Sequence, residues 1–269
     1  MKCIIIYFSL TGNTRLAAIK VKNGIMDSGH ECELLEMRDF NQNIDLINFD
    51  ILGFMAPVHA FSEPTIFKRF LKKLPSIDKP AFIGATAASS FGNFYPNINE
   101  VLVSKGINVF AKLSVIAPPT YIPLKSKGSE NSVYMDSELQ KAFNFGQKLI
   151  NEYEDIIIKR IKQIPKFKKD IGSSIISILA NNDRSLRFAM GTIKIEKESC
   201  TKCGKCVDNC AWDAIVFESK DSYPKRIKNK CGGCYACINI CPEGALWNIS
   251  TKEKPRYIEP SYEGYLKTK

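Results

Sequence analysis

Cys200-Thr201-Lys202-Cys203-Gly204-Lys205-Cys206-Val207-Asp208-Asn209-Cys210 and Cys231-Gly232-Gly233-Cys234-Tyr235-Ala236-Cys237-Ile238-Asn239-Ile240-Cys241-Pro242 are two copies of one spacing, C-x2-C-x2-C-x3-C. Together they use eight of the ten cysteines in the chain. Gaps of two residues let a backbone loop tightly, so that successive sulfurs converge on the iron corners of a cubane; the doubled run reads as two 4Fe–4S clusters. Zinc also accepts four thiolates, but its sites usually group them as separated C-x2-C pairs. A disulfide framework would need strained local bridges, and nothing else marks the chain as secreted.

The repeat runs past the ligands. CTKCGKCVDNCAWDAIVF and CGGCYACINICPEGALWN align over eighteen residues without a gap, pairing Ala214 with Ala245 and Ile215 with Leu246. This doubled motif resembles the bacterial two-cluster ferredoxins, in which the fourth cysteine of each run ligates the other cluster. The resemblance implies that Cys200, Cys203, Cys206 and Cys241 hold one cluster and Cys231, Cys234, Cys237 and Cys210 the other. Ala211 stands where the motif has its proline, a position that starts a helix and carries no ligand, so only a local change is expected.

Length and composition place the rest. The 269 residues are 45% hydrophobic and 25% charged, as in a soluble protein of roughly two domains. MKCIIIYF has too short an apolar run for a leader and reads as a buried strand. No stretch approaches the roughly 20 apolar residues of a spanning helix, so membrane contact is not expected. Low-potential clusters suit a reducing, cytoplasmic setting in an anaerobic host. Of the formal charge of +10, residues 156–194 carry nine basic against two acidic side chains, while residues 1–155 hold sixteen of each. Each cluster with its thiolates adds about −2, and nucleic-acid binding is not expected.

Before the cysteines, strand and helix signals alternate. Lys2 to Phe8 is a near-continuous apolar run suited to a central parallel strand. Further strands are expected near Glu31 to Met37, Phe49 to Phe54, Ala81 to Ala85 and Val109 to Ile116. Helices are expected over Asn13 to Met26, Glu63 to Lys73, Pro96 to Lys105 and Ser137 to Lys162. Five strands alternating with helices predict an α/β, doubly wound sheet. Between the first strand and helix lies Ser9-Leu10-Thr11-Gly12-Asn13-Thr14, hydroxyls and backbone N–H groups at a helix N-terminus, which suit a phosphate. It is neither a dinucleotide fingerprint nor a Walker loop.

Residues 1–150 resemble flavodoxin, whose first loop follows [ST]-x-T-G-x-T and binds the FMN phosphate. The resemblance implies a five-stranded parallel sheet of order 2-1-3-4-5, with FMN at the switch point outside the carboxyl ends of the strands. The phosphate would meet Ser9, Thr11, Gly12, Asn13 and Thr14. The ring would lie between Pro57, Val58, His59, Ala60 and Phe61 after the third strand and Ala87, Ala88, Ser89, Phe91, Gly92 and Asn93 after the fourth. Phe61, Phe91, Phe94 and Tyr95 are the aromatics available for stacking. His59 reads as a surface-loop residue or as a tuner of the flavin. Cys3 and Cys32 read as buried structural thiols.

Taken whole, the sequence resembles the fused flavodoxin/ferredoxin proteins. The expected organisation is a flavodoxin-like FMN domain over 1–160, a basic linker over 161–191, a small α+β two-cluster ferredoxin-like domain over 192–250 and a tail over 251–269. Pro165 is expected to end the last flavodoxin helix, Gly172 to Ala180 to form a short apolar helix, and Thr192 to Glu196 to form the first ferredoxin-like strand. The resemblance implies an electron-transfer flavo-iron–sulfur protein relaying electrons between FMN and two 4Fe–4S clusters, with a ferredoxin or an oxidoreductase as redox partner. Two alternatives stay open: an FMN-dependent reductase of a small acceptor such as a quinone, aldehyde, nitro compound or oxygen species, and an iron–sulfur redox sensor. No catalytic acid or base is legible.

Overall fold

Continuous apolar runs make the centre of a five-stranded parallel sheet. In the computed structural model, which describes residues 1–41, 43–124, 136–158, 167–180 and 182–252, the strands are β1 (Lys2–Tyr7), β2 (Glu31–Glu36), β3 (Ile51–Pro57), β4 (Lys79–Ala87) and β5 (Ile107–Ile116). Their order is β2-β1-β3-β4-β5 and every pairing is parallel. β1, β3 and β4, covered on both faces, are buried almost throughout, whereas edge strand β2 exposes Glu31 and Glu33. Helices α1 (Asn13–Asp27), α2 (Thr65–Lys73), α3 (Phe94–Val103) and α4 (Asp136–Ile158) supply the layers. This is the flavodoxin-like, doubly wound topology.

Boundaries shift by a few residues for local reasons. β3 starts at Ile51 because Leu46–Asn48 forms a 3-10 turn, capped where Asp45 accepts from the Ile47 amide at 3.0 Å. α2 starts at Thr65 because Pro64 is still extended. α3 starts before Pro96, whose missing N–H falls in a first turn that has no intrahelical use for it. α1 and α4 cross through reciprocal glycines: a Cβ on Gly24 would sit 2.0 Å from the Phe143 carbonyl oxygen, and one on Gly146 would sit 2.2 Å from that of Val21. Cys3 and Cys32 face each other in register on β1 and β2, and burial pushes both thiols up to about 12, so they stay protonated.

The chain divides into two units: Met1–Ser9, Asn13–Ala117 and Tyr134–Ile178 in one, Leu10–Gly12, Pro118–Val133 and Leu179–Lys269 in the other. Helices α5 (Ile171–Ala180) and α6 (Asp183–Met190) occupy the stretch read as linker. α6 is capped at its start by Asn182, which accepts from the Ser185 amide at 2.8 Å, and closed by Gly191 at φ 71°. Asn248 Nδ2 donates to the Met190 carbonyl at 2.6 Å and ties the end of α6 to the cysteine-bearing segment. Pro165 lies outside the described residues. No helix among the described residues is long and apolar enough to cross a membrane.

In the second unit the duplication is structural. β6 (Lys194–Ile195) pairs antiparallel with β9 (Leu246–Trp247), and β7 (Ile215–Val216) with β8 (Lys225–Arg226). α7 (Lys205–Asp208) and α8 (Ala236–Ile240) occupy equivalent places in the two motifs. Left-handed residues pair across the repeat: Lys202 (φ 56°) with Gly233 (68°), Gly204 (79°) with Tyr235 (62°), and Asp213 (48°) with Gly244 (66°). Both halves therefore trace one path. The bond from Glu196 N to Ala245 O (2.9 Å) has its counterpart from Ile227 N to Ala214 O (2.7 Å).

Candidate functional site

Tight left-handed turns bend both cysteine runs, burying Cys206, Cys231, Cys237 and Cys241 while Cys203 stays exposed, and the last cysteine of each run ends beside the other run's sulfurs. Cys200, Cys203, Cys206 and Cys241 line one pocket, closed on its inner side by Leu246. Burial pushes Cys206 up to about 11, and the negative charges that would form at Cys241, Cys203 and Cys200 push it the same way. Burial likewise pushes Cys234 up to about 12, with Cys231 and Cys210 adding to the shift. Cys237 is raised well above the usual thiol range by burial and then by Cys234, Cys231, Cys210 and Cys206. Two interleaved groups of four sulfurs result, each unfavourable as bare thiolates and each suited to a cationic core.

Backbone amides already point at these sulfurs. Ala214 N donates to Cys210 Sγ at 3.2 Å and Gly233 N to Cys231 Sγ at 3.4 Å, contacts of the kind that set a cluster's potential. Among the described residues, no three His, Cys, Asp or Glu side chains close round a single metal ion.

Three loops follow the carboxyl ends of β1, β3 and β4. Ser9–Thr14 leads from β1 into α1, where Asn13 and Thr14 are buried and Gly12 takes φ 95°. Thr14 Oγ1 and Thr86 Oγ1 share a buried hydrogen bond of 2.7 Å, joining α1 to the end of β4. No acidic residue stands in the first turn of α1, and Arg15 stands there instead; its buried Nε has no hydrogen-bond partner among the described residues. A cation at the positive end of a helix dipole is favourable only when an anion is added. Arg15 is absent from the sequence expectations, although its charge at the wrong end of a helix was a legible signal.

After β3, His59 and Ser62 exchange backbone hydrogen bonds of 2.8 and 2.9 Å around Ala60 (φ 45°) and Phe61 (φ 61°). Two non-glycine residues in left-handed conformation are strained and need support. Part of it is Glu63, 1% exposed, whose carboxylate accepts from Ser62 Oγ and from Asn97 Nδ2 at 2.9 Å and pairs with Lys68 Nζ at 2.7 Å. The rest comes from the loop after β4: Asn93 N donates to Phe61 O at 2.8 Å, and Gly92 passes so close that a Cβ would lie 2.1 Å from that oxygen. His59 is half-buried, and burial lowers it to about 4, so its ring is neutral at ordinary pH.

Of the four aromatics, the structure leaves two at the surface. Phe61 is 42% exposed and Phe91 half-buried. Phe94 is fully buried, and Tyr95 gives its hydroxyl to the Leu113 carbonyl at 2.6 Å inside the core. Val58 N donates to Thr86 O at 2.8 Å and fixes Pro57 and Val58 at the sheet edge. Ala87 is buried at the end of β4, while Ala88 and Ser89 are exposed. Asn93 spends its side chain elsewhere: Nδ2 donates to Asp170 O (3.1 Å) and Ser174 Oγ (2.8 Å), and Oδ1 accepts from Asp170 N (2.8 Å). It positions the loop.

Residues 199–245 match the family described as a 4Fe–4S dicluster domain, so the second unit carries an electron-transfer module for two clusters. Among curated proteins, the archaeal-type glutamate synthase [NADPH] of Dehalococcoides mccartyi is 32% identical over 50 residues, covering 19% of this chain and 10% of that protein. The formate dehydrogenase-O iron–sulfur subunit of Escherichia coli is 28% identical over 93 residues, covering 31% of this chain and 29% of that one. The chain thus spans about a tenth and less than a third of the lengths of these relatives. Among solved structures, a flavodoxin from the domain Archaea aligns at 17% identity over 57% of this chain and 99% of its own, with a TM-score of 0.45. The two-electron reduced flavodoxin of Megasphaera elsdenii aligns at 18% identity over 54% and 98%, with a TM-score of 0.41.

Proposed function

We propose that the chain is an electron-transfer protein that binds FMN at the carboxyl edge of its five-stranded sheet and relays electrons between that flavin and two 4Fe–4S clusters. The observation that carries the reading is the covalent union of a dicluster domain with a doubly wound sheet whose β1, β3 and β4 loops meet at the topological switch point. Cys200, Cys203, Cys206 and Cys241 hold one cluster, and Cys231, Cys234, Cys237 and Cys210 the other. Ser9, Thr11, Gly12, Asn13 and Thr14 bind the phosphate, with the Arg15 guanidinium adding charge. Pro57 to Phe61 and Ala87 to Gly92 flank the ring, Phe61 being the exposed aromatic beside it. Bound FMN supplies a centre that takes up two electrons, whereas clusters pass one at a time.

This chain's residues then position and tune. The neutral His59 presents no cation to the ring, and the Glu63 network keeps the Ala60–Phe61 turn from relaxing. A ferredoxin or an oxidoreductase serves as redox partner in a reducing compartment. Anoxic reconstitution with iron, sulfide and FMN tests the reading. Eight irons and one flavin per chain are expected, about the load of two cubanes and one FMN, and electrons placed on the clusters should bleach the flavin. Reduced clusters beside a flavin that stays oxidised would defeat the relay.

A further inference from the structure

The two halves of the second unit share a backbone but not a cover. In the second motif, Gly232, Gly233, Tyr235, Ala236, Ile238 and Asn239 are all buried. The Trp212 ring lies against Gly232, where a Cβ would come within 2.1 Å of it, and the Leu186 backbone lies within 2.5 Å of a Cβ on Gly233. Arg187 Nη1 donates to the Cys231 carbonyl at 3.0 Å, Asn239 Nδ2 donates to the Thr120 carbonyl at 2.8 Å, and Tyr121 meets Tyr235 edge-on at 5.1 Å. Helix α6 and the segment after β5 thus roof this motif over.

At the equivalent positions of the first motif, Thr201, Lys202, Lys205 and Asp208 are exposed, and so is Cys203 itself. Lys202 is held in place: its Nζ donates to the Asp221 carbonyl at 2.7 Å and lies 4.5 Å over the Tyr223 ring. Lys202 and Lys205 line the pocket together with Glu243, and the Asp208 carboxylate stands beside Gly204 of the same lining.

We infer that the pocket of Cys200, Cys203, Cys206 and Cys241 is the port at which electrons enter the second unit from outside, and that its rim docks a one-electron carrier protein presenting carboxylates to Lys202 and Lys205. The inference rests on the cluster assignment proposed above. In the exchange the carrier's reduced centre loses one electron and the cluster behind the rim gains it; no bond forms and no proton moves. The roofed motif, whose equivalent surface is covered by α6 and Thr120–Tyr121, offers a carrier no such approach. A pre-positioned lysine loses less side-chain freedom on docking than a free one, and opposite charges raise the encounter rate.

Zero-length carbodiimide coupling of the loaded protein to a small acidic bacterial ferredoxin, followed by peptide mapping, tests the surface directly. Cross-links at Lys202 or Lys205 are expected. The double variant Lys202→Glu/Lys205→Glu should lower the second-order rate of reduction by that ferredoxin about tenfold at low salt and flatten its salt dependence. Its iron and sulfide content and its reduction by the methyl viologen radical cation should not fall, and Lys72→Glu on α2 should behave as wild type. Cross-links confined to other lysines, or an unchanged rate in the double variant, would overturn the port. Flavin absorbance followed in the same runs separates the two ideas: clusters that fill through ferredoxin while the flavin stays oxidised refute the relay and leave the port standing.

Discussion

His59 shows how one side chain couples the sheet edge to pH. Burial lowers it from 6.5 to about 4, so the unfolded chain takes up the proton near pH 6.5 and the folded chain only near 4. Stability that is complete above pH 6.5 is therefore lost progressively as pH falls toward 4, by about 2 kcal/mol after allowance for partial exposure. Thermal unfolding of flavin-free protein across that window should show the loss, and His59→Gln should remove most of it; an equal slope in the variant would refute the assignment. At this scale the two-cluster character of the cysteine runs was legible because their spacing repeats, and residues 199–245 match a 4Fe–4S dicluster domain. The left-handed Ala60 and Phe61 were not, since non-glycine residues seldom adopt that conformation and nothing local announces it. The burial of Phe94 and Tyr95 was hidden for a different reason: it depends on β5, which their own loop does not foretell.

Elements were read best where the signal is periodic and local. The apolar runs of β1 and β3 and the stretch that became α1 fell within a few residues of their observed bounds, whereas α6 went unread although Asn182 and Gly191 flank it as start and stop signals. Its sequence, DRSLRFAM, is charged enough to pass for a solvated connector, and what makes it a helix of the second unit is contact with Cys231 and Asn248, far along the chain. The short helix α7 has its own consequence. Beyond it, Cys210 stands near enough to Cys234 and Cys237 to add to the rise that burial imposes on both thiols. Cys210→Ser should therefore cost the cluster of Cys231, Cys234 and Cys237 and spare that of Cys200, Cys203, Cys206 and Cys241. Iron and sulfide should fall to about half. A variant that instead lost the pocket lined by Cys200 would show that each run serves its own cluster.

Over the whole molecule the two units draw stability from different sources. The first has a five-stranded sheet with a continuous apolar core, while the second has strands of two residues and a Cys237 thiol raised by burial and then by the sulfurs around it. Such a small unit depends on bound metal for its fold. Stripping iron with a chelator under reducing conditions should abolish hydrogen-exchange protection across 194–252 and leave the strands of 2–116 protected; protection that survives in both regions would contradict this. The order of the two units was legible because strand–helix alternation and cysteine spacing are local properties. The roof over the second motif was not, because Thr120, Leu186 and Cys231 are brought together only by the folded chain. In each pair of left-handed positions, Lys202 with Gly233, Gly204 with Tyr235 and Asp213 with Gly244, one copy dispenses with glycine. The bends there are dictated by the sulfur framework and not by permissive residues, which releases those corners for other work: a lysine turned to the solvent in one copy, a tyrosine wedged into the interior of the other.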